Sequence, residues 1–466
     1  MKRGLLIAPL AGLLFYFLPL PLTTEGHRML AITAVATTLW ISEAIPLAAT
    51  ALLIAVLVVL FGVAPPAEVF SVFAEPILFL FVGSFMIAEA MQIHKLDQRI
   101  ASAVLQNDWV RAKTSRITFL YACICFFISM WISNTATTAM MFPIGLSIIR
   151  VIPEDGRSKV AQLVLLMTSF GASIGGIATP VGTPPNLIGI GMIKNILNRS
   201  VPFFEWMSYA FPISVLTFLA IYFFMRLFLA HDCMKQPMQK IDLPPDEPQM
   251  RKAQRNVMIA FLITVFLWLL PGFVLIFGGE SKWWENHLPE SVAALIGAIL
   301  LFILPVDWKN RKFTITWKQA EGINWGIILL FGGGLILGKF LFKTGVAQYF
   351  GDSIAAIYPF RSEFSFILLF TLLAVFISEF TSNTASANMI LPVSIAVCQS
   401  AGIDPYRTAI AATLASSLGF MLPISTAPNA IVFSSGMIPI RSMIRNGIVL
   451  DIVGALIVAI GMYLLA

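Results

Sequence analysis

Long apolar stretches recur from one end of the chain to the other, and they set out its elements. Residues 5–22 predict a first crossing, and 29–62 are long enough for two helices divided near Ser42-Glu43-Ala44-Ile45-Pro46. Residues 76–93 predict another, opening with Pro76 and carrying Gly83. Further crossings fall at 207–230, 256–277, 290–305 and 446–466. A helix needs about 20 apolar residues to cross a bilayer, and stretches of that length mark a polytopic helical membrane protein.

Four segments depart from that pattern. From Ile117 to Ile149 the chain is uncharged and mainly apolar, but Ser133-Asn134-Thr135 splits it into two arms. Each arm is shorter than the about 20 residues a crossing needs. A re-entrant hairpin over 117–150 is expected. The same triplet returns at Ser382-Asn383-Thr384 inside a second apolar segment, and a second hairpin is expected over 364–398. Its first arm, from Phe364 to Thr381, comes closer to crossing length. Residues 160–193 are broken at Ala178-Thr179-Pro180-Val181-Gly182-Thr183-Pro184-Pro185-Asn186, with too little length for two crossings. One discontinuous helix fits there, with Pro184 or Pro185 in the first turn of its second half. Ser425-Thr426-Ala427-Pro428-Asn429 marks another such helix over 408–436. Ser, Asn and Thr cap helix N-termini through side-chain oxygens. In hydrocarbon, non-helical backbone survives only inside protein or along a cavity.

These landmarks repeat. Ser133, Asn134, Thr135, Ala136, Met140 and Pro143 recur as Ser382, Asn383, Thr384, Ala385, Met389 and Pro392. Leu80-Phe81-Val82-Gly83 returns as Leu330-Phe331-Gly332-Gly333, and the two Pro-Asn motifs follow in the same order at nearly the same spacing. Between the copies lies the longest polar stretch, 231–255, with Pro244, Pro245, Pro248 and several Lys and Arg. It divides the chain into an N-terminal half, 1–230, and a second half, 256–466. Arg111, Lys113 and Arg116 precede the first hairpin and Arg150, Arg157 and Lys159 follow it, so the positive-inside rule puts both its ends, and the linker, in the cytoplasm. Only Arg361 and Arg407 flank the second hairpin, which places its ends outside. The repeat is therefore inverted, with a cytoplasmic N-terminus and an external C-terminus. The fold expected is an all-α polytopic membrane protein with two re-entrant hairpins, two discontinuous helices and about 11 transmembrane helices, the plan of inverted-repeat transporters.

Composition sharpens this. The chain is 58% hydrophobic and 12% charged, where soluble proteins carry about 25% charged residues. The net charge of +6 resides in short loops and sets topology, so it does not point to nucleic acid. Cys123, Cys125, Cys233 and Cys398 show no disulfide spacing, and Cys123-x-Cys125 reads as apolar packing ahead of a metal pair. Met1-Lys2-Arg3 before an apolar run imitates a signal peptide. No small-x-small cleavage site follows, which favours a retained helix.

Two hairpin tips and two broken helices predict four helix N-termini near the bilayer midplane, each favouring an anion. Freed carbonyls there suit a hard cation such as sodium. Ser129 and Ser378 lie one turn before the triplets and add oxygens on the same face. No Lys or Arg falls within the triplets or the Pro-Asn motifs. Anion charge is then balanced by dipoles and co-bound cations, which points to cation-coupled anion transport. Taken singly, a Ser-Asn-Thr reads as interhelical packing and a Pro-Pro-Asn as a kink; together, in inverted register, they read as a substrate site. Glu43 and Glu379 read as structural, with Glu379 on a different face from Ser378. Gly332-Gly333-Gly334 reads as close helix packing, since no strand precedes it. A channel would need a continuous pore. An intramembrane enzyme would need an acid or histidine cluster, where only Glu43, Glu89, Glu379 and Asp451 stand out.

Both triplets, the motifs at Gly182–Asn186 and Ser425–Asn429, and Trp40-Ile41-Ser42-Glu43-Ala44-Ile45-Pro46 together resemble the divalent anion/sodium symporters, over nearly the whole chain. That family includes bacterial dicarboxylate transporters and sodium-coupled citrate and sulfate carriers. The resemblance implies a homodimer in the cell inner membrane, each protomer with a scaffold and a mobile transport domain working as an elevator. It implies one sodium ion on Ser129, Ser133, Asn134 and Gly182 and another on Ser378, Ser382, Asn383 and Ser425, partly through backbone carbonyls. It implies substrate carboxylates on Asn134, Thr135, Thr183, Asn383, Thr384 and Thr426, with sodium as the co-transported ion and no organic cofactor. Thr183 stands where a serine is common in the dicarboxylate members, and Ser425 and Ala427 where Ala and Pro are common, which bears on cargo more than on coupling. Sodium-coupled carriage of succinate, malate or fumarate is the expected activity; sodium-independent exchange, citrate and sulfate stay open.

Overall fold

The computed structural model describes residues 2–105, 107–111, 113–152, 157–229, 248–279, 282–357 and 362–466. Apart from one short two-stranded ribbon, Pro305–Asp307 with Lys312–Phe313, its regular structure is helical. Most of the linker (231–247), Cys233 and Arg361 lie outside the described residues. Among the described residues, seven helices are long and apolar enough to cross a membrane.

Local chemistry sets the boundaries. The helix Thr24–Ser42 ends at Glu43, which takes the left-handed conformation (φ 44°), and Pro46 then caps Leu47–Leu60. Glu43 is thus the turn between two helices. Pro76 opens Pro76–Ile93 at the first turn, where a missing N–H leaves nothing unpaired. Close approach explains the glycines. A Cβ on Gly83 would sit 2.6 Å from the Ala294 backbone, and one on Gly333 the same distance from Ala51 Cα.

Both hairpins are present. Thr114–Ser129 and Asn134–Arg150 form the first, with Tyr121 donating its hydroxyl hydrogen to the Met141 carbonyl across the arms at 2.8 Å. Glu363–Phe380 and Asn383–Ser400 form the second, where Ser386 Oγ donates to the Ala374 carbonyl at 3.1 Å. The first broken helix is Arg157–Ile177 followed by Pro184–Leu197. Its first half has 21 residues and alone has the length and hydropathy of a crossing. The second half, with 14 residues, is too short for another crossing.

The second broken helix differs. It consists of Pro405–Ala415 and Ala427–Phe433, with a longer irregular stretch between and a turn after Phe433, in place of helix over most of 408–436. The two repeats interlock. Pro184–Leu197 packs on the second hairpin and on Pro405–Ala415, while Ala427–Phe433 packs on Asn134–Arg150 and Arg157–Ile177. Each broken helix therefore sends its second half against the other repeat, and the interruptions lie within protein, as apolar surroundings require.

Candidate functional site

At each hairpin tip the triplet's serine starts the returning helix. Ser133 Oγ accepts from the Ala136 amide at 3.3 Å and Ser382 Oγ from the Ala385 amide at 3.2 Å. The side chains of both serines are thus helix caps. The asparagine that follows is held by the serine of the incoming arm. Ser129 Oγ donates to Asn134 Oδ1, and Ser378 Oγ to Asn383 Oδ1, each at 2.8 Å.

The broken helices are fastened by their own asparagines. Asn186 Nδ2 donates to the carbonyls of Gly176 and Thr179 at 2.9 and 2.7 Å. Asn429 Nδ2 donates to those of Gly419 and Leu422 at 2.9 and 3.0 Å. Each asparagine satisfies carbonyls that the interruption strands. The match stops at the other amide atom. Ser169 Oγ donates to Asn429 Oδ1 at 2.5 Å, while Asn186 Oδ1 is buried without a partner, since Ala412 occupies the position that corresponds to Ser169.

In the first repeat, backbone oxygens crowd round Gly182. A Cβ there would lie 2.5 Å from the Gly176 carbonyl oxygen and 2.9 Å from those of Ser129 and Met130. Asn134 Oδ1 lies against Gly176, and Thr179 Oγ1 donates to the Met130 carbonyl at 2.5 Å. Ser129, Asn134 and Gly182 therefore come together, joined by Gly176 and Met130, which sequence reasoning did not name. Convergent neutral oxygens of this kind suit a hard cation.

In the second repeat Ser378 and Ser425 approach Gly419, the counterpart of Gly176, whose Cβ would be 3.2 Å from Ser425 Cβ and 3.5 Å from the Ser378 carbonyl oxygen, while Asn383 is held on the Ser378 hydroxyl. Here a carboxylate intervenes. Glu379, only 3% exposed, accepts from the amides of Met421 (2.7 Å) and Leu422 (3.0 Å) and from Ser425 Oγ (2.5 Å). Asp451 Oδ1, on Ile440–Leu465, accepts from the Phe420 amide at 3.1 Å, and Ser378 Oγ also donates to the Ser416 carbonyl at 2.6 Å. In a continuing helix the Phe420 amide would bond the Ser416 carbonyl. Both groups are diverted, which explains why helix stops at Ala415 when its counterpart runs to Ile177. Glu379 thus sits at the second break and holds its backbone. The sequence signal was the acid itself, since intramembrane carboxylates carry a functional default.

The hydroxyl residues expected at the substrate divide by exposure. Thr135 is exposed and Thr384 half-buried at the two tips, while Thr183 and Thr426 are buried at the caps of the second half-helices. Thr426 Oγ1 accepts from the Asn429 amide at 3.2 Å; Thr183 makes no capping bond. Asn388, one turn beyond the second triplet, is fully buried with Oδ1 unpartnered, and lies against the Gly334 backbone. Its counterpart in the first repeat is Ala139.

Beside the first break, a cleft of 330 Å³ opens between Pro180 and Leu187 on one side and Trp268 and Pro271 on the other. The Phe203 ring stacks on Trp268 at 4.6 Å, and the Phe203 amide donates to Glu290 Oε1 at 3.2 Å. Phe204 also packs on Gly272 and Phe273 of the helix that carries Trp268.

Two solved transporters share the fold. Neisseria gonorrhoeae MtrF, described as one of a class of antimetabolite efflux pumps, aligns at a TM-score of 0.59 and 12% identity over 100% of this chain and 94% of its own. The Alcanivorax borkumensis YdaH transporter aligns at 0.58 and 14% identity over 85% and 86%. Among curated proteins, the sodium-dependent dicarboxylate transporter SdcS of Staphylococcus saprophyticus is 33% identical over 485 residues, covering 99% of this chain and 91% of its own. SdcS of Staphylococcus aureus strain NCTC 8325 is 33% identical over 481 residues, covering 99% and 90%. The family model described as the sodium:sulfate symporter transmembrane region matches residues 1–464. With interlocked hairpins and broken helices throughout, this chain belongs to that sodium-coupled anion symporter family.

Proposed function

We propose that this protein imports C4-dicarboxylates such as succinate, malate or fumarate by symport with sodium. The observation that carries the reading is the pair of oxygen clusters at the tips: carbonyls of Ser129, Met130 and Gly176 around Gly182, and Ser378 and Ser425 beside Gly419 with Asn383 held on Ser378. The curated relatives are named sodium-dependent dicarboxylate transporters, which supports both the ion and the cargo. One sodium ion binds at Ser129, Ser133, Asn134 and Gly182, and a second at Ser378, Ser382, Asn383 and Ser425. Ser133 and Ser382 contribute main-chain atoms, because their hydroxyls cap helices. The dianion meets Asn134, Thr135, Thr183, Asn383, Thr384 and Thr426. Helix N-termini and the two ions neutralise it without a lysine or arginine.

Movement follows an elevator in a homodimer. The hairpins, the broken helices, Phe203–Leu229 and Ile440–Leu465 travel together, and the largely aromatic seam at Phe203, Phe204, Trp268 and Glu290 is where that body slides against a scaffold. The protein sits in the inner membrane with its N-terminus in the cytoplasm.

Purified protein in liposomes tests this with labelled succinate, with and without a sodium gradient, against citrate and sulfate as competitors. Sodium-dependent uptake blocked by malate and fumarate is expected. Binding of cation and anion is reciprocal, so succinate affinity should fall when choline replaces sodium. Unchanged affinity would replace symport with exchange, and stronger competition by sulfate would reassign the cargo.

A further inference from the structure

A basic groove lies far from the hairpin tips, where the amphipathic helix Leu96–Leu105 meets the start of Pro248–Ile276. It encloses 710 Å³ and is lined by Arg99, Arg251, Lys252 and Arg255 together with Leu96 and Ile100. Among the described residues, none lining it is acidic. Its frame is fixed. Arg99 Nη1 donates to Gln254 Oε1 at 2.7 Å, and Gln254 Nε2 donates to the His94 carbonyl at 2.9 Å, tying the two helices together.

The charge continues into hydrocarbon-facing surface. Arg251, Arg255, Ile259, Leu262 and Phe266 follow at helical spacing on one face. Ile259, Leu262 and Phe266 are 39%, 55% and 57% exposed, on a helix apolar enough to cross the bilayer from Arg251 to Ile276. The face therefore presents cations at one end and bare apolar side chains below them. A phospholipid has that shape and the opposite headgroup charge, and clustered Lys and Arg at the cytoplasmic edge of a membrane helix attract anionic lipid. A second copy of this chain docked by two-fold symmetry would set like charges against like.

We propose that this groove binds one anionic phospholipid, its phosphate on Lys252 and Arg255 at the mouth that Arg99 and Arg251 flank, and its acyl chains along Ile259, Leu262 and Phe266. The lipid braces Leu96–Leu105, the segment that leads into the first hairpin, against the helix behind it.

The full chain in neutral detergent is titrated with phosphatidylglycerol, and with phosphatidylcholine of the same acyl chains, and bound lipid is counted by native mass spectrometry. Wild type should bind phosphatidylglycerol at least fivefold more tightly. The Lys252→Gln, Arg255→Gln double variant should lose that preference, at about fivefold per charge removed. Elution volume and melting temperature report whether the double variant is folded. If it is not, Lys252→Gln alone should show the single-charge loss. Equal binding of the two lipids by wild type overturns the proposal, as does a folded variant that keeps the preference. Displacement of the lipid by equimolar glycerol 3-phosphate would mean the groove reads free phosphate. A variant altered in oligomeric state with unchanged lipid binding would mean the face is a contact between copies.

Discussion

Replacing Glu379 by glutamine tests what holds the second break open. The carboxylate takes three donors: the Met421 amide, the Leu422 amide and the Ser425 hydroxyl. Glutamine offers one acceptor oxygen and an NH2 group, so one backbone amide must face another donor. Ser425 has an alternative, since its hydroxyl already lies 3.1 Å from the Glu379 main-chain oxygen. Losing one charge-assisted bond in a buried setting and stranding its donor costs about 2–4 kcal/mol. Glu379→Ala strands both amides and should cost about 3–6 kcal/mol. The assay is thermal unfolding of the purified protein across a range of sodium concentrations. Glutamine should lower the melting temperature by several degrees and alanine by more. Because Ser425 is re-aimed, sodium should protect the glutamine variant only at about tenfold higher concentration, the equivalent of about 1.4 kcal/mol. A glutamine variant that melts with wild type and keeps its sodium response would show that Glu379 does not organise this break.

Asn134→Ala and Asn383→Ala each remove the acceptor for a buried serine hydroxyl; succinate uptake in liposomes should fall at least about tenfold, for about 1–2 kcal/mol per lost bond, with elution unchanged, and near-normal uptake by both would reduce the triplets to packing. Asp97, outside the membrane-spanning helices and 3% exposed, has its carboxyl pushed up by burial from an ordinary 3.8 to about 6. The folded state therefore holds this proton more tightly than the unfolded one, and the group's unfavourable effect grows between pH 3.8 and 6 and is complete above that. Asp97→Asn keeps an oxygen for the Gln98 amide and should stabilise by about 3 kcal/mol at pH 7.5, converging with wild type near pH 4, as read from melting curves; equal curves at both pH values would remove the burial argument. With Cys123, Cys125, Cys233 and Cys398 replaced, single cysteines at Lys113 and Ser158 should resist an impermeant thiol reagent in intact cells, while those at Ser362 and Asp404 should react. A hairpin whose two ends label from opposite sides would be a crossing, and the inverted arrangement would fail.

The hairpins and the first break were legible because a polar triplet or a Pro-Pro-Asn inside an apolar run has few physical explanations, and their recurrence removed most of those. The cradle at Gly182 was legible only in part. Its glycine and serine are motif residues, but the Gly176 and Met130 carbonyls belong to residues whose side chains carry no signal. The extent of the second break was not legible, because Leu418–Leu422 has no polar side chain to mark it. Only the tertiary placement of Glu379 and Asp451 diverts those amides. A helical wheel separates Glu379 from Ser378, yet the long side chain lies one residue before its helix ends, where it reaches backbone instead of a neighbouring face. Asn388 was passed over because the surrounding repeat match made the whole segment read as a copy of the first.

Those same departures from symmetry bear on how two cations would differ. Met130 and Glu379 occupy corresponding positions, as do Gly182 and Ser425. Around Gly182 the surrounding oxygens are neutral carbonyls and an amide, packed closely enough that a single Cβ would collide with three of them. In the second repeat the corresponding position holds the Ser425 side chain, and a carboxyl group is hydrogen-bonded to it. A carboxyl oxygen beside a cation, in a medium less polar than water, contributes more than any one carbonyl dipole. Under the proposed reading the second-repeat ion therefore depends on charge and the first-repeat ion on fit. Charge attracts many cations at a distance, while a close carbonyl cradle rejects those of the wrong size, so the first site is where sodium would be distinguished from potassium and lithium. The second would fill at lower concentration, and by ordering the tip at Asn383 it would prepare half of the anion's contacts before the anion arrives.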